Sequence, residues 1–288
     1  MKVAVTGATG GLGQAIVELL SDHPDKPEIV GICRNPGKVS QPAIEYRQGD
    51  YSEKHSYQTA LKGIDAVLLV SGMDDPQKRV QQHRNVIESA VENGVTKIVY
   101  TSIVGNPTAA GFSPVVASNR QTEEDVRNSG LKWSIGRNGL YIEPDIEYVE
   151  HYIRVGKIAN CGAAGRCAYT TRSELASAYT EMLMNSVHDG QSYNLVGPAI
   201  TQAELTDLFN RGFGLDLRYE PMTVEAYKAE RIAELGEFMG TIISGIYEGI
   251  RAGYSDVESD FARAAGRPHL DWETYFMEKG AEFNSSQQ

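Results

Sequence analysis

Met1-Lys-Val-Ala-Val-Thr-Gly-Ala-Thr-Gly-Gly-Leu-Gly-Gln-Ala-Ile16 decides the fold of this chain. Val3, Ala4 and Val5 form a short apolar run of the kind a buried strand needs. Gly7, Gly10 and Gly13 follow, and then Ile16, Val17, Leu19 and Leu20 recur at helical spacing. Strand, glycine turn and helix in this order make a dinucleotide site. The first glycine permits a sharp turn. The second lets the backbone approach a pyrophosphate. The third lets the helix pack close, and the helix N-terminus carries the partial positive charge that a phosphate needs.

The second strand points to the form of the cofactor. Glu28-Ile-Val-Gly-Ile-Cys33 reads as a strand, and Arg34 follows it with Lys38 nearby. A protein selective for NAD places an acid about 20 residues after the glycine motif, on the ribose 2′-hydroxyl. Here a guanidinium stands there, with no carboxylate at Cys33 or Asn35. Its planar fork of donors suits a 2′-phosphate, so the cofactor expected is NADP(H).

Strand and helix patterns alternate onward. Strands are expected at Glu45–Gln48, Ala66–Val70, Lys97–Tyr100 and Trp133–Ile135, and helices near Ser56–Leu61, Gln77–Asn93 and Thr122–Asn128. Alternation at this interval predicts an α/β fold with a doubly wound parallel sheet of the Rossmann kind, ligands lying beyond the strand carboxyl ends. After residue 137 the texture becomes less regular. The division expected is a cofactor domain over 1–137 and a smaller, partly helical substrate lobe over 138–288, with 191–197 returning to the sheet. Thr201–Phe213 and Val224–Ile250 read as helices. The stripe Phe238, Met239, Ile242, Ile243, Ile246, Tyr247 and Ile250 reads as core. The polar tail Asn284–Gln288 reads as disordered.

At 288 residues the chain can bury a full core. Its net charge of −11 leaves no basic stripe for nucleic acid and no attraction to anionic membranes. No apolar run approaches the roughly 20 residues of a membrane helix. The three cysteines, Cys33, Cys161 and Cys167, form no Cys-x-x-Cys pair, and no leader is expected ahead of the first strand. Reduced thiols in the cytoplasm are expected. The six histidines are scattered, so no metal site is expected. The partner expected is a small electrophilic molecule, with the protein a monomer or a homodimer.

Together these segments resemble the NmrA-like atypical short-chain dehydrogenases/reductases, nearest the branch that holds NAD(P)H:quinone oxidoreductases and triphenylmethane reductases. The resemblance rests on "VTGATGGLG" at the start, "CRNPGK" after the second strand, "GDY" at Gly49–Tyr51 and "VSG" at Val70–Gly72. It continues through "ENGVTKIVYTS" at Glu92–Ser102, "TEEDVRNSGLKWSIGRNGLY" from Thr122, "TTRSELA" at Thr170–Ala176 and "YNLVG" at Tyr193–Gly197. It implies that Gly7, Thr9, Gly10, Gly11, Leu12 and Gly13 hold the pyrophosphate and Arg34 the 2′-phosphate. Asp50 and Tyr51 would flank the adenine, and Ser71, Gly72 and Ser102 would line the groove toward the nicotinamide. Asn138 and Tyr141 would approach the nicotinamide and substrate. For several residues a structural role stands beside this one: Asp50 as a turn cap, Ser71 and Ser102 bonding only backbone, and Arg137 as an ion-pair partner.

The chain departs from the wider superfamily in one respect. Most members place a Tyr-x-x-x-Lys pair ahead of the Thr122 helix, the phenol moving the proton and the lysine lowering its pKa. Val115 and Asn119 stand there instead. Asn119 can hydrogen-bond a ribose hydroxyl but cannot ionise, and Tyr141 is the remaining candidate for a polar role at the substrate. Two functions fit. One is an NADPH-dependent reductase of a quinone-like or other electrophilic acceptor, which needs no proton in the hydride step. The other is a non-catalytic NADP(H)-binding redox sensor of the NmrA type.

Overall fold

In the computed structural model the opening apolar run is strand β1 (Lys2–Thr6), and the glycine turn leads directly into helix α1 (Gly11–Asp22). The structure describes residues 1–39, 44–109 and 111–286. Strands β2 (Glu28–Cys33) and β3 (Glu45–Gln48) follow, then α2 (Lys54–Ala60), β4 (Ala66–Leu69) and α3 (Pro76–Glu92). Next come β5 (Lys97–Ile103), α4 (Ser113–Arg127) and β6 (Lys132–Asn138). The sheet runs β3-β2-β1-β4-β5-β6 and is completed beside β6 by Gln191–Leu195. Every pairing in it is parallel.

Alternate side chains of β1 choose the two faces. Val3 and Val5 pack with Leu12, Ile16 and Leu20 of α1 and with Leu175, Tyr179 and Met182 of the helix Arg172–Met184. Ala4 packs to the other face with Tyr57, Val86, Ile87, Tyr100 and Val126, under α2, α3 and α4. This is the period-2 pattern of strands buried on both sides. From β1 the chain goes through β2 to β3 on one side and returns to β4 on the other. That reversal opens a crevice at the carboxyl ends of β1 and β4.

A third apolar cluster lies among the C-terminal segments. It joins Ile142, Val149, Ile158 and Tyr169 to Leu205, Phe209 and Phe213 of the helix Gln202–Phe213 and to Trp272 and Phe276 of the helix Trp272–Ser286. Thr201 and Glu204 form a reciprocal capping box at the start of Gln202–Phe213. Among the described residues no helix is long and apolar enough to cross a membrane.

Three expectations are corrected. The helix placed at Thr122 begins nine residues earlier, at Ser113, so Val115 and Asn119 lie inside it. The Val224–Arg251 helix is broken at Gly236, whose φ of 80° is left-handed. Beyond the break the apolar stripe divides: Phe238 and Met239 are exposed, whereas Ile246 and Tyr247 pack against the third apolar cluster and Ile250 is fully buried in it. Asn284–Ser286 form the last turn of the C-terminal helix instead of a loose tail, while Gln287 and Gln288 lie outside the described residues.

One buried carboxylate ties β5, α4 and β6 together. Glu123 has no exposed side-chain surface and meets Arg120 at 2.8 Å, Arg127 at 3.0 Å and Arg137 at 2.7 Å. Burial alone would raise its pKa. The hydrogen bonds and charge of Arg137, with Arg120 and Ser102, outweigh that and hold it down to about 2. A carboxyl near 4.5 when unfolded and about 2 when folded stabilises the native state fully above pH ~5. That contribution, on the order of 3 kcal/mol, is lost as pH falls toward 2. Glu123→Gln should lower stability by about 3–5 kcal/mol at pH 7, because it strands three partly buried guanidiniums. It should also flatten the acid limb of a urea-denaturation series between pH 5 and 2. An acid limb identical in wild type and variant would contradict this.

Candidate functional site

The site is built from the carboxyl ends of β1, β2, β4 and β6. Gly7 turns with φ 60°, and the Gly10 N–H donates to the Gly7 carbonyl at 2.9 Å. Gly10 is the N-cap of α1 and has no side chain to satisfy the first-turn N–H groups. That turn carries no acidic residue. Thr9, Gly10 and Gly11 are exposed, whereas Leu12 and Gly13 are buried. A Cβ on Gly13 would lie 2.3 Å from the Gly7 oxygen, so only glycine permits this approach. The uncapped N–H groups of the first turn therefore form an exposed anion cradle. The Ala8 N–H donates to Ile32 at 3.2 Å, fixing the turn beside the end of β2, where Arg34 and Lys38 are both exposed.

Of the groove residues, some reach the site and others do not. The Asp50 Oδ1 accepts the Ser52 N–H at 2.8 Å, a local turn cap. The Tyr51 hydroxyl lies 2.7 Å from Thr6 Oγ1 and donates to the Val70 carbonyl at 2.6 Å. Its phenol therefore pins the ends of β1 and β4 together. Half-buried Ser71 has the carbonyl of Thr101 at 2.6 Å, the Tyr100 hydroxyl at 3.0 Å and Asn119 Oδ1 at 3.1 Å within reach of its single proton. The Gly72 N–H donates to His83 Nε2 at 3.1 Å. His83 therefore presents a bare Nε2, and its Nδ1–H faces Thr122 Oγ1 at 2.9 Å. Burial, reinforced by the charge of Arg79, holds this imidazole down to about 3 and so neutral.

Two assignments are corrected. Ser102 is fully buried and donates to Glu123 Oε1 at 2.7 Å, so its hydroxyl belongs to the ion-pair cluster and not to the groove. Asn119 is also fully buried. Its Oδ1 accepts from Tyr100 at 2.7 Å and its Nδ2 donates to the Val115 carbonyl at 2.8 Å, so it does not reach a ribose. Arg137 takes its structural role, on Glu123.

At the end of β6, Asn138 holds Tyr141. Its Oδ1 accepts from Tyr179 at 2.5 Å and its Nδ2 donates to the Tyr141 hydroxyl at 3.2 Å. Burial pushes the Tyr141 phenol up to about 12, which keeps it protonated at neutral pH. Two residues that the sequence reading passed over join it. The Arg172 side chain lies against Gly11, where a Cβ would come 3.0 Å from its Cδ, and its guanidinium sits 5.8 Å from the Tyr141 ring centroid. Glu143 Oε1 accepts the Arg172 backbone N–H at 2.6 Å, while Oε2 is buried with no hydrogen-bond partner among the described residues. A cation beside the phosphate turn and an unsatisfied acceptor beside Tyr141 fit a ligand spanning the crevice. Tyr275 and Lys279 have the Tyr-x-x-x-Lys spacing, but Tyr275 packs with Trp272 and Phe276 in the lobe core and Lys279 pairs with Glu282.

The chain is similar in sequence and in fold to known proteins. Residues 7–185 match the family model described as NAD(P)H-binding. The chain is 32% identical over 233 residues to quinone oxidoreductase 2 of Escherichia coli K12, covering 79% of this chain and 80% of that one. It superposes on the NADPH-dependent quinone oxidoreductase of E. coli complexed with NADPH with a TM-score of 0.87, at 27% identity over 96% of this chain and 99% of that one. Triphenylmethane reductase of Citrobacter sp. complexed with NADP(H) also gives 0.87, at 28% identity over 98% of this chain and 99% of that one.

Gly10 and Gly13 should respond differently to a side chain. Gly10 has φ −84°, and its Cβ would have 3.4 Å to the nearest atom, so Gly10→Val should fold normally while blocking phosphate approach. NADPH affinity by fluorescence titration should fall by about 100-fold or more with circular dichroism unchanged. Normal binding by the folded variant would exclude the turn as the cofactor site. Gly13→Ala should instead cost about 1–3 kcal/mol of stability, since backbone must move.

Proposed function

We propose, from the premise that this chain belongs to the NAD(P)H-binding family as an NmrA-like atypical short-chain dehydrogenase/reductase, that its acceptor is a quinone or a similar small electrophile. It is an NAD(P)H-dependent oxidoreductase. One observation supports the choice of acceptor: among the described residues no Tyr-x-x-x-Lys pair stands at the strand ends to give a proton. Asn119 and Ser102 are buried and engaged, and Tyr141 is held up to about 12. An acceptor that tolerates hydride before proton suits such a site. No observation among the described residues favours the sensor reading.

Bound at this crevice, the cofactor supplies a hydride from its nicotinamide. The chain's own part is to hold and orient. The first-turn N–H groups of α1 take the pyrophosphate, with the Arg172 charge beside Gly11 adding to their field. Arg34, with Lys38, takes the 2′-phosphate. Tyr141, steadied by Asn138 and Tyr179, walls the acceptor side and keeps its proton. Positioning of this kind can supply much of a barrier reduction without acid–base work.

Two measurements test the reading. Arg34 should favour NADPH over NADH by about 10- to 100-fold, the worth of a charge-assisted contact, and Arg34→Asp should reverse the order. Equal affinities in the wild type would remove the assignment. Quinones should be reduced about 10²–10⁴-fold faster than simple aliphatic ketones, which need the absent acid. Tyr141→Phe should slow a quinone far less than the roughly 10²-fold that loss of a general acid costs. Brisk ketone reduction abolished by Tyr141→Phe would show that the tyrosine is the acid after all.

A further inference from the structure

Behind Ser71 and Gly72 lies a buried polar layer between α3 and α4, and it contains a charge without a counter-charge. Arg79, in the first turn of α3, is 4% exposed. One terminal nitrogen donates to Ser118 Oγ at 3.3 Å and the other to Asn119 Oδ1 at 3.4 Å, both long contacts. Its Nε is buried with no hydrogen-bond partner among the described residues. Among the described residues no carboxylate forms an ion pair with it, although the chain has 38 Asp and Glu against 27 Lys and Arg. Buried cations are ordinarily paired, because desolvation costs several kcal/mol otherwise.

The contacts of Arg79 lead to the groove. Asn119 Oδ1 collects the Arg79 nitrogen, the Tyr100 hydroxyl at 2.7 Å and Ser71 Oγ at 3.1 Å. Ser71, half-buried two residues beyond the end of β4, is the most exposed member of this network. Asn119 stands where the superfamily's lysine would supply a positive charge, and the unpaired guanidinium is its direct neighbour.

We propose that Arg79 replaces that lysine electrostatically: it is a positioning residue whose unneutralised charge, acting through Asn119 and Ser71, stabilises an acceptor oxygen that becomes anionic. The proposal rests on the reductase reading above and narrows its acceptor to neutral carbonyl or quinone compounds. A quinone that takes hydride from NADPH becomes a phenolate-type monoanion, the cofactor becomes NADP⁺, and water later supplies the proton. A fixed cation behind Ser71 favours this accumulation of charge, and it does so without a proton to give.

The test pairs Arg79→Met with Arg79→Lys. In the methionine variant Ser118 Oγ still donates to the Val115 carbonyl, and Asn119 Oδ1 still accepts from Tyr100, with Ser71 Oγ 3.1 Å away. No partner is left unsatisfied, and a desolvated charge is removed. The melting temperature should therefore hold or rise. Quinone kcat/KM should fall roughly 10- to 50-fold through kcat, the order expected for one charge acting across one side chain, and Arg79→Lys should recover most of it. A readout without turnover is the absorbance titration of 4-nitrophenol in the NADP⁺ complex. The bound phenol should ionise at lower pH in wild type and Arg79→Lys than in Arg79→Met.

A fall in melting temperature with the same phenol titration in all three proteins would reduce Arg79 to a structural role. So would full quinone activity in the methionine variant. Failure of the wild type to reduce any quinone would instead remove the reductase reading, while the phenol titration still reads the potential of Arg79.

Discussion

The approach of α1 to the turn after β1 governs this structure. Gly13 lies so close to the Gly7 carbonyl that a Cβ would come within 2.3 Å of it. That contact seats α1 on the sheet with Ile16, Val17 and Leu20 in the core, and it aims the uncapped N-terminus into the crevice. The crevice in turn exists because the chain reverses between β1 and β4. Packing and anion recognition are here one constraint. The residue that allows the helix to dock also fixes where its unpaired N–H groups point.

The rest of the site is held from behind by buried polar groups. Glu123 draws Arg120, Arg127 and Arg137 together and so locks β5, α4 and β6. Beside it Tyr100, Asn119, His83 and Arg79 form a neutral-to-positive layer that carries Ser71 and Gly72. The two layers have opposite character. The first gathers three guanidiniums around one fully paired carboxylate and stabilises the fold. The second leaves a cation unmatched, a cost that stability alone does not explain. A stabilising layer set beside one with an unpaired buried charge is the pattern expected where function opposes stability.

Much of this was legible in the sequence. The glycine turn, the parallel alternation and the cation after β2 follow from local patterns, and β3 falls at Glu45–Gln48 in both readings. The misplaced residues share a cause. Ser102 follows an apolar strand and Asn119 stands in a family position, but whether a side chain faces a groove or a neighbouring helix depends on the partner across from it. Glu123 captures Ser102, and Tyr100 captures Asn119. Arg172 reaches Gly11 across 161 positions of chain, which no local pattern encodes. Nothing in the sequence sets Arg79 apart from the other polar residues of its helix, and only its burial distinguishes it. The stripe from Phe238 is core only in its later part, at Ile246, Tyr247 and Ile250, whereas Phe238 and Met239, next to the left-handed Gly236, are exposed.

The central claim is that this oxidoreductase places cofactor and acceptor without giving a proton in the step that moves hydride. Single-turnover reduction of a quinone with NADPH and with NADPH deuterated at C4, each in H₂O and in D₂O, reads it directly. The account predicts a primary isotope effect from the labelled cofactor and none from the solvent on the same step. A solvent isotope effect of comparable size, multiplying with that of the cofactor, would show a protein-bound proton moving with the hydride and would contradict it.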